Sequence, residues 1–310
     1  MNHFSVANLQ AADGPQAAIE VKGNYYLLSE LLPSLQGVST RSLFATWDQS
    51  LPLLVRLAER VYQGDKEIRG IPPSATHLLA PILYPDKMFA VGGNYTGHLR
   101  EMGMETKKWA SMPFFLRPPT TTLVGPGNTV RIPTSTKEFD WECEVAAVVG
   151  RTLSHASREE AATAIAGYAI GLDLSCRDLI HTDNDLKIDM VRGKAQDTMA
   201  PCGPTIVPAM FVPDVNNLRI ELWVNEEKMM DASTSEMMYK IDEQLSIISE
   251  FVTLAPGDIL FTGSPSGSAG AHGNRWLKPG DRIRASIEQI GVFEVGIQDL
   301  TGRVDGSDGR

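Results

Sequence analysis

The stretch Phe139-Asp140-Trp141-Glu142-Cys143-Glu144-Val145-Ala146-Ala147-Val148-Val149-Gly150 constrains this chain more than any other. From Val145 to Val149 it is an unbroken run of small and β-branched apolar residues closed by glycine, which reads as a buried strand. Three acids at alternate positions lead into it. In an extended chain residues i, i+2 and i+4 share a face, so Asp140, Glu142 and Glu144 point the same way. Grouped carboxylates repel, and near a core each also loses hydration. Two arrangements relieve this: a divalent cation held by oxygen ligands, or a solvated edge strand whose acids face water.

Ahead of this stretch, residues 1 to about 82 read as a small α+β segment. Ala18–Val21 and Asn24–Leu28 flank Lys22-Gly23 as a hairpin. Leu51 to Val61 carries apolar residues at helical spacing, with Asp48 or Ser50 as its cap. No cluster of reactive side chains occurs here. From residue 83 the character changes. Lys87–Val91 is a strand ending in Gly92-Gly93, followed by a loop and short helix bearing His98 and Glu101 at i and i+3. A carboxylate touching an imidazole raises its basicity and fixes its tautomer, as activation of water requires; an incidental surface pair has the same spacing. Met102-Gly103-Met104 marks the segment as a mobile lid.

Arg117 ends a strand that runs from Pro113 and is stopped by Pro118-Pro119, placed either to grip a carboxylate or to pair with a surface acid. Ser157 and Glu160 form a capping box that opens a helix. The buried strand Ile165–Leu172 ends at Asp173, which either completes a three-carboxylate site or caps a helix. Lys194, beside Gly193, projects from a strand end or loop; a lone lysine there is commonly solvated. Leu218–Val224 alternates as a half-exposed strand, Ile241 to Leu254 is helical, and Pro256 to Gly267 reads as a turn, a strand and a loop, Thr262-Gly263-Ser264-Pro265-Ser266-Gly267, able to offer N–H and hydroxyl donors to an anion.

Several classes are excluded. A net charge of −10 disfavours a nucleic-acid partner. No apolar run reaches the roughly 20 residues of a membrane helix. The N-terminus lacks the pattern of a secretory signal. Three scattered cysteines read as reduced core thiols of a cytoplasmic protein. No nucleotide-binding glycine fingerprint, phosphate loop or serine nucleophile elbow is present, so no nucleotide cofactor is expected. Residues 301–310 read as a disordered tail.

Taken in order, Val91-Gly92-Gly93-Asn94-Tyr95 with His98 and Glu101, Phe115-Leu116-Arg117-Pro118-Pro119, Asp140-Trp141-Glu142-Cys143-Glu144, Gly167-Tyr168 to Asp173 with Arg177-Asp178, Arg192-Gly193-Lys194 and Phe261 to Gly267 resemble the catalytic domain of the fumarylacetoacetate hydrolase family over residues 83 to 298. The resemblance implies an α+β, mainly β fold: a mixed β-sandwich roll catalytic domain over 83–300 behind a small N-terminal α+β domain over 1–82, usually as a homodimer. It implies Glu142, Glu144 and Asp173 as ligands of Mg²⁺ or Mn²⁺, with Ca²⁺ also admissible, and leaves Asp140 outside the ligand set. His98 and Glu101 match the water-activating dyad and Lys194 the lysine at the reacting oxygen. Tyr95, Arg117, Thr262 and Ser264 are expected around the substrate.

Arg117 stands where many members carry lysine. Lys194-Ala195-Gln196-Asp197-Thr198 departs from Lys-Ser-Phe-Asp-Thr, and Ser264 replaces a threonine. These changes fall on the pocket wall and bear on substrate identity. The implied activity is metal-dependent cleavage of a carbon–carbon bond in a small anionic 2,4-dioxo acid, of acylpyruvate, fumarylpyruvate, maleylpyruvate or 2,4-dioxo sugar-acid type, giving pyruvate and a carboxylic acid in aromatic or sugar-acid catabolism. Decarboxylation or isomerisation on the same site is the alternative. A metal-stabilised binding protein without catalysis is the reading from a different class.

Overall fold

The computed structural model describes residues 3–299; the expected disordered tail lies outside them. The fold is α+β and mainly β. A mixed 10-stranded sheet runs in the order Asn24–Leu27, Gly14–Val21, Ser5–Ala11, Ala200–Pro208, Ile165–Leu172, Cys143–Val149, Ile259–Phe261, Met88–Val91, Phe114–Leu116, with Leu123–Val124 paired to Ala200–Pro208. A five-stranded sheet places Glu227–Ser233, Arg219–Val224, Arg282–Ile287, Gly291–Asp299 and Thr129–Ile132 side by side.

The apolar run that dominates the sequence is a central strand. Every residue of Cys143–Val149 is buried. Cys143, Val145, Ala147 and Val149 enter a core shared with Ile220, Leu222 and Val224 of the five-stranded sheet and with Ile241, Leu245 and Ile248 of the helix Ile241–Phe251. Ala146 and Val148, on the opposite face, pack with Phe44, Leu54, Leu57 and Ala58 of the N-terminal region. Burial on both faces explains why this strand reads as continuous apolar sequence instead of alternating.

The approach to that strand differs from a single extended run. Phe139–Asp140 pairs with Ser175–Cys176 in a separate two-stranded sheet, and the strand is interrupted at Trp141-Glu142 before resuming at Cys143. Asp140 lies outside the group formed by Glu142, Glu144 and Asp173 and is tied to Glu142 through Arg177.

The N-terminal hairpin forms as expected around Lys22-Gly23. Its partner strand Ser5–Ala11 continues the large sheet through the Val6–Ile206 pairing. The helix expected from Leu51 begins at Trp47 and runs to Tyr62, through Pro52. Buried Trp47 stacks on Phe44 with ring centroids 4.8 Å apart, and this packing anchors the extra turn. Neither Asp48 nor Ser50 is its cap; both lie inside the helix, where Asp48 pairs with Arg151. The Ser157–Glu160 capping box is present as read from the sequence.

Candidate metal centre and active site

Glu142 and Glu144 stand at the start of the strand Cys143–Val149, and Asp173 follows the strand Ile165–Leu172. The two strands are antiparallel neighbours with Gly171 opposite Glu144 and Leu172 opposite Cys143. That register delivers Asp173 to Glu142, whose carbonyl accepts the Asp173 N–H at 3.1 Å. One carboxylate oxygen from each of Glu142, Glu144 and Asp173 lies within 4.8 Å of the other two, and all three residues are buried.

Three buried carboxylates this close need positive charge beside them. Lys194 Nζ donates to Glu142 Oε2 at 2.8 Å and to Asp173 Oδ2 at 2.9 Å. Arg177 donates to Glu142 Oε1 at 2.5 Å and to Asp140 Oδ2 at 2.7 Å. The Arg117 guanidinium pairs with Asp173 and donates to the Met199 carbonyl at 2.7 Å. On the remaining side, the Gly263 N–H donates to Glu144 Oε2 at 2.6 Å. Gly263 holds φ at +94°, a backbone conformation that favours glycine.

The charges respond unequally. Burial pushes the Glu144 carboxyl well up, and neighbouring Glu142 adds to the effect. Burial also acts against ionised Glu142, but Lys194, Arg177 and His98 outweigh it and hold that carboxyl low. Burial pushes the Lys194 ammonium down against the pull of Glu142. Glu144 Oε1 is buried and has no hydrogen-bond partner. An orphaned carboxylate oxygen inside an all-carboxylate cluster fits a hard divalent cation such as Mg²⁺, Mn²⁺ or Ca²⁺.

His98 lies on the short helix Thr96–Glu101. Its Nδ1 is 3.3 Å from Glu101 Oε2, and its Nε2 is 3.7 Å from Glu142 Oε1. The Gly267 N–H donates to Glu101 Oε1 at 2.7 Å, so the Thr262–Gly267 loop fixes the carboxylate that touches the imidazole. The helix packs closely on that loop: a Cβ at Gly97 would meet Ser266 Oγ at 2.9 Å. His98, Glu101, Glu142, Asp173, Lys194 and Ser264 all border one cavity of about 430 Å³, within the roughly 300–1,000 Å³ common for ligand sites.

Lys194 is not on a strand end or loop. It is the last residue of the helix Met190–Lys194, buried, with three oxygen acceptors. Three residues expected around substrate are turned elsewhere. Arg117 is buried and committed to Asp173, because an isolated guanidinium inside the core needs a carboxylate. Thr262 donates its hydroxyl to the Val145 carbonyl at 2.9 Å and so ties strand to strand. Tyr95 is fully buried, its hydroxyl without a partner. None of the three borders the cavity.

Arg177 was quoted from the sequence without a role, yet it borders the cavity and bridges Asp140 to Glu142. Its position four residues after Asp173, opening the short helix Arg177–Ile180, is the signal that could have found it. Asp140 also accepts the Ala269 N–H at 2.8 Å, which makes it the bracket for Arg177 and the following loop.

Residues 87–298 match the family model described as fumarylacetoacetate (FAA) hydrolase, C-terminal. The mitochondrial oxaloacetate tautomerase Fahd2a of Rattus norvegicus is 34% identical over 224 residues, 72% of this chain and 70% of that protein. The crystal structure of maleylpyruvate hydrolase from Sphingobium sp. SYK-6, in complex with manganese(II) and pyruvate, superposes with a TM-score of 0.74 at 26% identity, covering 95% of this chain and 99% of that one. The 2-hydroxyhepta-2,4-diene-1,7-dioate isomerase of Mycobacterium marinum gives a TM-score of 0.70 at 26% identity, covering 96% and 99%.

Proposed function

The chain belongs to the fumarylacetoacetate hydrolase family, and from that premise we propose that it is a metal-dependent hydrolase cleaving a carbon–carbon bond in a 2,4-dioxo acid to pyruvate and a carboxylic acid. The observation that carries this reading is His98 held between Glu101 and Glu142, at 3.3 Å and 3.7 Å. A bond from Nδ1–H to Glu101 leaves Nε2 as the basic nitrogen, facing the carboxylate cluster.

Glu142, Glu144 and Asp173 would hold the cation, Mg²⁺ or Mn²⁺ with Ca²⁺ as a further candidate. When bound it supplies Lewis-acid polarisation of the substrate's oxygens. Glu101, anchored by the Gly267 N–H, orients His98, which takes a proton from water. The hydroxide adds to the distal carbonyl, and the bond to the methylene carbon breaks with its electron pair leaving on the pyruvate side. Lys194 donates a hydrogen bond to the enolate oxygen that gains charge. Protonation of the carbon gives pyruvate; the acyl half leaves as a carboxylic acid. Ser264 borders the same cavity and contributes a hydroxyl to substrate binding.

Isomerisation, keto–enol tautomerisation included, or decarboxylation on the same site is the second reading. It is favoured by the depressed Lys194, a buried amine able to carry a proton, and by the names of the relatives. An assay of an acylpyruvate, maleylpyruvate, oxaloacetate and a 2,4-dioxo sugar acid, each with and without EDTA, separates the readings. Pyruvate released from a dioxo acid and lost with EDTA supports hydrolysis. Enol–keto interconversion alone, or EDTA-sensitive release of CO2 from oxaloacetate, supports the second. No EDTA-sensitive turnover of any leaves a binding protein.

The remaining assignments belong to the same proposal. Residues 1–82 are a structural unit docked on the catalytic domain 83–300. The protein works as a homodimer in aromatic or sugar-acid catabolism. Three buried, unpaired cysteines suit a reducing compartment such as the cytoplasm. Among the described residues no helix is long and apolar enough to cross a membrane.

A further inference from the structure

The cavity has two chemically different ends. Its inner end holds the carboxylates, Lys194 and His98. Its outer wall is built from Met102 and Met104 after the short helix, Phe115, Ile180, Ile188 and Met190. Several of these large apolar side chains reach solvent: Met102 is 38% exposed, Met104 44% and Ile188 56%. The segment carrying Ile188 folds back on itself, with the Thr182 N–H donating to the Lys187 carbonyl at 3.0 Å and His181 bridged to Ile188. That turn sets Ile188 on the cavity wall beside Ile180.

Charge sharpens the contrast. The lining includes the acids Glu101 and Glu138 in addition to Asp140, Glu142 and Asp173. Its lysine and arginine side chains are Lys194 and Arg177, and both are ion-paired to Glu142. Away from that end, the further basic group among the described lining residues is His181. A substrate with a second, distal carboxylate would bring it to a wall of thioether, phenyl and branched alkyl groups, with no unpaired lysine or arginine among the described lining residues to receive it. An alkyl or aryl tail meets surface it can cover.

We infer that the outer half of this cavity is a subsite for an uncharged, apolar acyl chain, and that the substrates are acylpyruvates with alkyl or aryl tails, not dicarboxylates. This rests on the oxo-acid reading above and selects among its substrates. Charge complementarity favours that occupant, and the exposed methionines and Ile188 become covered when it binds.

The test is calorimetric titration of the full chain loaded with Mn²⁺, using ligands that are not cleaved. Pyruvate comes first, then 2-oxo monocarboxylates lengthened to 2-oxooctanoate, and 2-oxo dicarboxylates of matching length. Affinity should rise about fourfold for each methylene covered, the equivalent of about 0.8 kcal/mol per buried CH₂. Each dicarboxylate should bind about tenfold or more weakly than the monocarboxylate of its length. Ile188→Arg, at an exposed position that folding does not depend on, should shrink or reverse that ratio. Absence of any affinity for pyruvate would overturn the oxo-acid reading and the subsite with it. Pyruvate binding with no chain-length trend, or with dicarboxylates equal or better, would overturn the subsite alone.

Discussion

Lys194 Nζ lies 2.8 Å from Glu142 Oε2, in a site where both side chains are almost wholly withdrawn from water. A buried ammonium on a carboxylate ligand neutralises the cluster and also offers a proton donor to charge developing in the cavity. Lys194→Met keeps the length of the side chain and removes both functions. We expect kcat to fall by about 10²–10³-fold while Mn²⁺ affinity holds or improves, because a competing cation has been removed. Steady-state kinetics with a parallel metal titration checks the split; kcat within a few-fold of wild type would assign Lys194 to structure alone.

Glu144 offers the site an oxygen that nothing else in the chain uses. Glu144→Gln preserves shape and should cost at least about 100-fold in metal affinity, at or beyond the range seen when supporting groups are lost. In the wild type, Mn²⁺ at a hundred times its Kd should stabilise the fold by about 2.7 kcal/mol. At the same concentration the variant should show little of this in thermal unfolding. Equal stabilisation of both proteins would remove Glu144 from the ligand set.

The raised Glu144 carboxyl has a signed consequence. Without metal, the folded chain keeps a proton that the unfolded chain releases near the ordinary carboxylate value of about 4.3. This group's contribution to metal-free stability is therefore full below that value and is lost as pH rises through the higher folded pKa. Metal binding requires the ionised form, so Mn²⁺ affinity should rise with pH across the same window and binding should release a proton. Calorimetry in two buffers of different ionisation enthalpy measures that proton directly; none released in mildly acidic buffer would contradict the shift.

Gly263 serves Glu144 by its backbone alone, and two constraints hold it to glycine. Its φ is +94°, and a Cβ there would lie 2.7 Å from Asn94 Cβ. Asn94 cannot yield easily, since its side chain donates to the Tyr239 and Thr262 carbonyls. Gly263→Ala should destabilise the protein by about 1–3 kcal/mol and weaken metal binding through the lost donor. A denaturant midpoint and a metal titration on one sample report both.

How far the sequence revealed this site follows from how local each signal is. The two-faced burial of Cys143–Val149 shows as an unbroken apolar run, and the Ser157 capping box occupies four adjacent residues, so both were legible. The His98–Glu101 contact was legible because helical spacing puts i and i+3 together. The tie of Asp140 to Glu142 through Arg177 was not legible, because the strand interruption at Trp141-Glu142 accompanies the pairing of Asp140 with Ser175, 35 residues away in sequence, and leaves no local mark. Arg117 resisted for the same kind of reason: nothing beside it says that its guanidinium will end on Asp173. The strand Ser5–Ala11 pairs along its length with the adjacent Gly14–Val21, but the Val6–Ile206 pairing that joins it to the large sheet is set by a partner some 200 residues away and leaves no local mark.

The central claim is water addition followed by carbon–carbon cleavage with His98 as the base. It is tested most directly by incubating the Mn²⁺-loaded protein with an acylpyruvate in heavy-oxygen water and analysing both products by mass spectrometry. The account predicts equal amounts of pyruvate and carboxylic acid, one solvent oxygen in the acid, and a loss of about 10²–10⁴-fold in rate for a His98→Ala protein that still binds Mn²⁺. An acylpyruvate that is enolised but not cleaved, or a His98→Ala protein that cleaves it at full rate, would contradict it.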